Sequence, residues 1–262
     1  METSRTNQLT PYNLLAMIKP IKTISTMLLP WTPHLVTASG LVFAFLTIIA
    51  LLDSQWKLAL IWMTAGVATD SVDGTMARYL NSTQKLPRFN GPLLDTIVDY
   101  VTYVVVPVLY IYIANLIPSV YNIWVLPLVL VSSSYQFAQT NAKTPDNYFT
   151  GFPSYWNIAV FYMLVIKPAP IVNVILILVL VVFIFIPIKY YYPSRTQRNR
   201  ILVMTITLVW GIAGLILIST YPTIQPIPLW ISILCSAYYI YLSISYSISN
   251  RSINNEPQSI SG

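Results

Sequence analysis

Residues 70–99 read DSVDGTMARYLNSTQKLPRFNGPLLDTIVD, and this stretch places four aspartates inside two apolar segments. The chain has only eight acidic residues in 262, so half of its acids lie here. A carboxylate at the centre of a membrane helix costs roughly 2.5–3.5 kcal/mol on insertion scales. Four such costs close together require a compensating function, and a bound metal ion is the first candidate.

The composition is typical of a membrane protein. Apolar residues make up 56% of the chain and charged residues 8%, whereas soluble domains carry about 25% charged residues. The single cysteine, Cys235, excludes an internal disulfide and a cysteine-based metal site. Residues 1–10 are polar and lack the apolar core of a cleavable signal peptide, so we expect the N-terminus to be retained.

Apolar segments near the length that crosses a bilayer, about 20 residues, alternate with breaks of proline, asparagine or charge. The predicted fold is all-α, a polytopic membrane protein of about eight transmembrane helices. The predicted spans are 34–52, 57–80, 91–114, 121–141, 154–167, 170–188, 201–219 and 227–249.

The basic residues orient this layout, because cytoplasmic loops are enriched in Lys and Arg. With both termini in the cytoplasm, twelve of the fourteen basic residues fall on that side. Only Lys57 and Lys167 fall outside. This bias accounts for the net charge of +6, so the charge does not call for a nucleic-acid partner.

The chain is predicted to hold one transmembrane domain, residues 31–250. Residues 1–30 form an N-terminal tail and an amphipathic helix that lies on the membrane surface, because apolar and basic residues alternate over 11–29. Polar residues 251–262 are predicted to form a disordered tail.

The four aspartates form two pairs at helical spacing. Asp70 and Asp73 are i, i+3, and Asp95 and Asp99 are i, i+4, so each pair lies on one helix face. Both pairs fall near the cytoplasmic ends of two antiparallel helices. Carboxylate oxygens suit hard cations such as Mg²⁺ and Mn²⁺, and four carboxylates can hold two such ions.

Small residues accompany the acids. Gly74 and Ala77 follow Asp73, and Gly91 lies one turn before Asp95. Small side chains let membrane helices approach closely, and they leave room for a flat ligand against the backbone. This pattern favours a binding site over simple packing.

The stretch resembles the signature of the CDP-alcohol phosphotransferase family, Asp-x-x-Asp-Gly-x-x-Ala-Arg, a spacer, and Gly-x-x-x-Asp-x-x-x-Asp. The spacer 79–90 is longer than is usual in the family and is similar to that of its bacterial phosphatidylcholine synthase branch, which has eight spans. The fixed positions are met by Asp70, Asp73, Gly74, Ala77, Arg78, Gly91, Asp95 and Asp99.

The resemblance implies transfer of a phosphatidyl group from CDP-diacylglycerol to choline, giving phosphatidylcholine and CMP. It implies a multi-pass protein of the bacterial inner membrane, with the site near the cytoplasmic face and a possible homodimer. The metal ligands for Mn²⁺ or Mg²⁺, two ions in all, would be Asp70, Asp73, Asp95 and Asp99, and Asp99 would also be the general base. The nucleotide-binding residues would be Thr37, Gly74, Ala77, Arg78 and Gly91.

Choline carries a quaternary ammonium, which aromatic faces and carboxylates recognise. Aromatic residues are dense between 148 and 156, although membrane interfaces are rich in them for other reasons. Lys143 and Asp146 are expected either to bind phosphate and choline, respectively, or to pair with each other. The choline candidates are Tyr103, Asp146, Tyr148 and Trp156, and the lipid phosphate candidates are Lys143, Arg195 and Arg198.

Other functions predict other patterns. A family member with serine, inositol or glycerol phosphate as acceptor needs further basic residues near the metals when that acceptor is anionic. A prenyltransferase needs a second Asp-rich motif, but residues 147–255 contain no aspartate. A cation transporter is expected to show internal repeats, which this chain lacks.

Overall fold

The structure is a computed structural model that describes residues 29–80, 86, 88–193, 195 and 197–254, with side chains through residue 248. This part of the chain is mostly helical. In chain order the elements are a 3₁₀ turn (Leu29–Trp31), α1 (Thr32–Leu52), α2 (Trp56–Leu80), α3 (Gly91–Tyr100), a π-helical segment (Val101–Val105), α4 (Val106–Ile113), α5 (Ser119–Ala138), β1 (Tyr148–Thr150), α6 (Trp156–Ile166), α7 (Pro170–Phe185), β2 (Lys189–Tyr191), α8 (Arg200–Thr220) and α9 (Pro226–Asn254).

Helices occupy every predicted span, since α3, the π-helical segment and α4 run on as one helix. Two of them, Trp156–Ile166 and Pro170–Phe185, are apolar but shorter than a typical span. Four stretches are long and apolar enough to cross a membrane, namely Leu29–Leu52, Gly91–Ile113, Arg200–Thr220 and Pro226–Ile248. The protein is therefore a helical membrane protein.

The helical core surrounds the continuous helix formed by α3 and α4. Val104 and Ile111 of that helix are fully buried, as are Leu60 of α2 and Ile177 of α7. The outward faces of the helices are also apolar and expose side chains such as Phe45, Trp124, Ile201 and Leu208. Apolar surface on this scale fits a lipid environment.

A two-stranded antiparallel sheet, which the sequence did not predict, joins two connections between helices. Tyr148 of β1 pairs with Tyr191 of β2, and Thr150 pairs with Lys189. The other edge of β2 rests on α9, where the Tyr191 amide donates to Ser243 Oγ at 3.4 Å. The sheet thus ties the α5–α6 connection to α9.

The described residues cover the predictions for the two ends of the chain only in part. The predicted interfacial helix over 11–29 lies outside the described residues, apart from Leu29. Helix α9 continues to Asn254, into the segment 251–262 that was predicted as a disordered tail. The helix continues because no glycine or proline interrupts residues 229–254.

Candidate active site

Three of the four aspartates form one cluster between α2 and α3. A carboxylate oxygen from each of Asp70, Asp95 and Asp99 lies within 4.8 Å of the other two. Helix α3 begins at Gly91 because the Asn90 side chain accepts a hydrogen bond from its first turn. This start places Asp95 and Asp99 in the first three turns of α3, opposite Asp70 on α2.

Asp73 lies beside this cluster, on the side of α1. It is 3% exposed, and Thr37 of α1 is close enough to interact with its carboxylate. The Thr37 hydroxyl donates to the Pro33 carbonyl at 3.0 Å. Asp73 Oδ2 has no hydrogen-bond partner among the described residues, which is costly for a buried carboxylate.

The donor set fits a hard divalent cation. Three clustered carboxylates repel one another unless a cation lies among them, and the unpartnered oxygen of Asp73 adds a further acceptor close by. Asp73 is near enough to interact with the charges of Asp70 and Asp95. Oxygen ligands of this kind are those that Mg²⁺ and Mn²⁺ prefer.

Tyr103 connects the π-helical segment to the cluster. Its side chain is 7% exposed, and its hydroxyl donates to Asp70 Oδ2 at 2.7 Å. Short π-helical segments inside α-helices occur often at functional sites. Tyr103, predicted as a choline candidate, therefore lies at the site and fixes the position of one of its carboxylates.

Gly91 lies against His34 at the start of α3. A Cβ at position 91 would overlap His34 Cε1 and lie 3.0 Å from His34 Nδ1. The buried imidazole also packs on the Phe89 ring, with centroids 4.7 Å apart. Gly91 was predicted to shape the nucleotide pocket. In the structure, the His34 ring occupies the space that a side chain at position 91 would need.

Gly74 and Arg78 lie together on α2. The nearest neighbour of a Cβ at Gly74 would be Arg78 Nη1 at 3.4 Å, and Arg78 Nη2 donates to Thr75 Oγ1 at 3.0 Å. Ala77 lies on the same helix, partly exposed. The exposed Arg78 is paired with no acid among the described residues, so its guanidinium is open to an anionic ligand.

Two basic side chains approach the acids from the sheet side. Lys143, which precedes β1, is close enough to interact with Asp95 and Asp99. Arg195, which follows β2, interacts with Asp95. Both residues lie in the connections that carry the paired strands β1 and β2. Arg198, the third phosphate candidate, instead stacks on the Tyr246 ring at 5.1 Å.

The remaining choline candidates make contacts of their own. Asp146 forms an ion pair with Lys189 at 2.6 Å, rather than with Lys143. Burial opposes ionisation of Asp146, but hydrogen bonds from Lys189 and Thr144 outweigh it, and the pKa of the carboxyl lies below its usual range. Tyr148 stacks on Tyr246, with centroids 4.4 Å apart.

Trp156 is fully buried and donates to Ser133 Oγ at 2.8 Å. Its neighbour Tyr155 belongs to the aromatic group considered for choline binding but was not one of the four choline candidates. It is only partly buried and interacts with Asp70 and Asp99. The density of aromatic residues around 148–156 indicated that the connection between α5 and α6 contributes to the site. Spacing alone did not indicate which ring faces the acids.

Comparison with known proteins agrees with the site. The family model described as CDP-alcohol phosphatidyltransferase matches residues 30–238. A phosphatidylcholine synthase of Pseudomonas aeruginosa is 36% identical over 210 residues, which is 80% of this chain and 88% of that protein. Phosphatidylcholine synthases of Legionella pneumophila and Borreliella burgdorferi are each 36% identical, over 87% and 70% of this chain and 92% and 78% of their own lengths.

Clustered carboxylates and a basic rim formed by Lys143 and Arg195 suit the binding of a divalent cation and a phosphate-linked substrate. The chain belongs to the CDP-alcohol phosphatidyltransferase family. It is thus a phosphatidyltransferase.

Proposed function

We propose that the protein makes phosphatidylcholine by transferring a phosphatidyl group from CDP-diacylglycerol to choline. The observation that carries the proposal is the cluster of Asp70, Asp95 and Asp99, three positions of the family signature. The phosphatidylcholine synthases to which the chain is similar support choline as the acceptor. Those relatives cover most of this chain. A divalent ion, Mn²⁺ or Mg²⁺, bound by these carboxylates and by Asp73 would neutralise the charge of the pyrophosphate.

Asp99 is the proposed general base. Its carboxylate takes the proton of the choline hydroxyl, and the oxygen forms a bond to the phosphorus that carries diacylglycerol. The bond from that phosphorus to CMP breaks, and CMP leaves. Asp99 suits this role because it lies deeper in α3 than Asp95, beside the aromatic residues that follow it.

Other residues hold the donor. Gly74 and Ala77 leave an open surface on α2, and Gly91, Thr37 and Arg78 border it, so these five residues are the proposed nucleotide site. Lys143 and Arg195 are the proposed ligands of the lipid phosphate, and their charge interactions with Asp95 support this role. Transfer to an alcohol also requires partial exclusion of water, which the partly buried position of the cluster favours.

The proposed topology has eight membrane crossings and both termini in the cytoplasm of a bacterium, with the protein in the inner membrane. Helices at each predicted span support it, as does the bias of the basic residues. The acid cluster then lies near the cytoplasmic face. CDP-diacylglycerol reaches the cluster from the bilayer, and choline reaches it from the cytoplasm.

The test is an acceptor panel on membranes that contain the protein. CDP-diacylglycerol and Mn²⁺ are supplied with labelled choline, serine, inositol or glycerol phosphate, one at a time. We expect labelled lipid from choline, and we expect a chelator to abolish it. Labelled lipid from another acceptor, with none from choline, contradicts the proposal and assigns the protein to another acceptor within the family.

A further inference from the structure

A connected group of aromatic rings extends from the acid cluster. The ring of Tyr103, whose hydroxyl bonds to Asp70, lies 5.5 Å from the ring of Tyr155 at an angle of 45°. Tyr155 in turn interacts with Tyr239 and Tyr192, and with the charges of Asp70 and Asp99. These contacts join aromatic residues from four separate parts of the chain near the acid cluster.

Tyr155 is held in place by its backbone. Ser154 has a left-handed conformation, with φ of 58°, and is fully buried. The Phe149 ring is nearly perpendicular to the Tyr155 ring, with centroids 6.0 Å apart, so β1 supports it from one side. Tyr155 nevertheless keeps part of its surface exposed.

Tyr239 and Tyr192 complete the group from the other side. The Tyr239 hydroxyl donates to the Tyr191 carbonyl, which ties α9 to β2. Tyr192 already has a cation over its ring, since the Arg195 guanidinium lies 5.2 Å from its centroid. Because this ring is occupied, Tyr192 supports the group from behind. Tyr103 and Tyr155 are the rings that interact with the acids, and Tyr239 lies next to Tyr155.

We infer that Tyr155, with Tyr103 and Tyr239, binds the quaternary ammonium of the acceptor. This inference rests on the proposed function. A quaternary ammonium has no N–H donor, so it binds through aromatic faces and nearby negative charge, both of which meet at Tyr155. Two carbons separate the hydroxyl oxygen of choline from its nitrogen. The ammonium must therefore bind close to Asp99, and Tyr155 is near enough to interact with Asp99.

The experiment compares choline with 3,3-dimethyl-1-butanol, its uncharged isostere, as acceptors for the wild type and for Tyr155→Leu and Tyr155→Phe. The quantity measured is the ratio of kcat/KM for choline to kcat/KM for the isostere. We expect Tyr155→Leu to lower this ratio about tenfold and Tyr155→Phe to retain it. The KM for CDP-diacylglycerol is expected to stay unchanged. Tyr241→Leu, an exposed tyrosine on the same helix as Tyr239, is the control and should match the wild type.

An equal loss of activity with choline and with the isostere in Tyr155→Leu overturns the inference, because it shows a structural role for the ring. An unchanged ratio overturns it as well. If the wild type itself gives no lipid from choline, the proposed function fails, whatever the variants show. The two failures are thus distinguishable.

Discussion

Gly91 illustrates how one missing side chain shapes the site. The signature glycine leaves the space that the buried His34 ring occupies, and His34 Nε2 has no hydrogen-bond partner among the described residues. A Cβ there pushes the ring away from α3. The start of α3 also sets the depth of Asp95 and Asp99, so a shift here reaches the carboxylate cluster.

We therefore predict that Gly91→Ala lowers kcat/KM for CDP-diacylglycerol about tenfold or more, because overpacking typically costs 1–3 kcal/mol. Gly211→Ala is the matched control, since nothing lies within 4 Å of a Cβ at that position. Adding His34→Ala to Gly91→Ala removes the clash and should restore part of the activity. A Gly91→Ala protein as active as the control contradicts the explanation.

Asp146 provides a second prediction at this scale. Its ion pair with Lys189 is partly exposed, at 27% and 41% for the two side chains, and such pairs contribute little. We expect Asp146→Asn to leave the KM for choline within about twofold of the wild type and to change thermal stability only slightly. A large rise in the KM for choline would instead assign Asp146 to the acceptor site.

The residue scale also shows what the sequence determines. Helical spacing and the family signature were enough to predict that Asp70, Asp95 and Asp99 lie together. The two pairs of aspartates, at 70/73 and 95/99, each lie on one face of a regular helix. They did not predict that Asp73 lies beside the cluster rather than within it, because its neighbour Thr37 belongs to α1. They did not select Tyr155 either, because rings from distant parts of the chain meet there.

The small sheet is the element that organises one side of the site. Its strands have three residues each and lie about 40 residues apart, so no periodic pattern marks them. The helices were predictable because apolar length alone defines them. The position of Lys143 and Arg195 depends on the sheet and was therefore outside the reach of sequence patterns.

The two arginines after β2 test this role of the sheet. Arg195 interacts with Asp95, whereas Arg198 stacks on Tyr246. We predict that Arg195→Ala raises the KM for CDP-diacylglycerol about tenfold, the effect of one lost charge-assisted hydrogen bond, and that Arg198→Ala raises it less than threefold. The measurement is initial rate against donor concentration in mixed micelles. Equal effects of the two variants contradict the assignment.

Gly151 tests the sheet as a unit. It has φ of +75°, and a Cβ there would overlap the Ile184 carbonyl at the end of α7. We predict that Gly151→Ala displaces β1 and lowers activity, with a fall in thermal stability of about 1–3 kcal/mol. Activity before heating measures the first effect, and residual activity after heating to a series of temperatures measures the fall in stability. Gly211→Ala again serves as the control.

At the scale of the whole molecule, the acid cluster and the basic rim lie at one end of the bundle. Gln55 and Thr223 lie in connections at the opposite end, and Asn141 and Gln197 lie in connections near the sheet. In a Cys235→Ser background, a cysteine at 55 or 223 should react in intact cells with a membrane-impermeant maleimide. A cysteine at 141 or 197 should react only after the membrane is opened. Labelling at 141 in intact cells contradicts the proposed orientation.

The central claim is that Asp99 takes a proton from choline at a metal-binding carboxylate cluster. The most direct measurement is phosphatidylcholine formation from CDP-diacylglycerol, Mn²⁺ and labelled choline by the wild type, Asp99→Asn and Asp53→Asn. Asp53 lies at the far end of α1, exposed, and its variant should match the wild type. We predict that Asp99→Asn remains folded and lowers the rate at least about 100-fold, as loss of a general base does. Phosphatidylcholine formation by Asp99→Asn at a rate near that of the wild type would contradict the account.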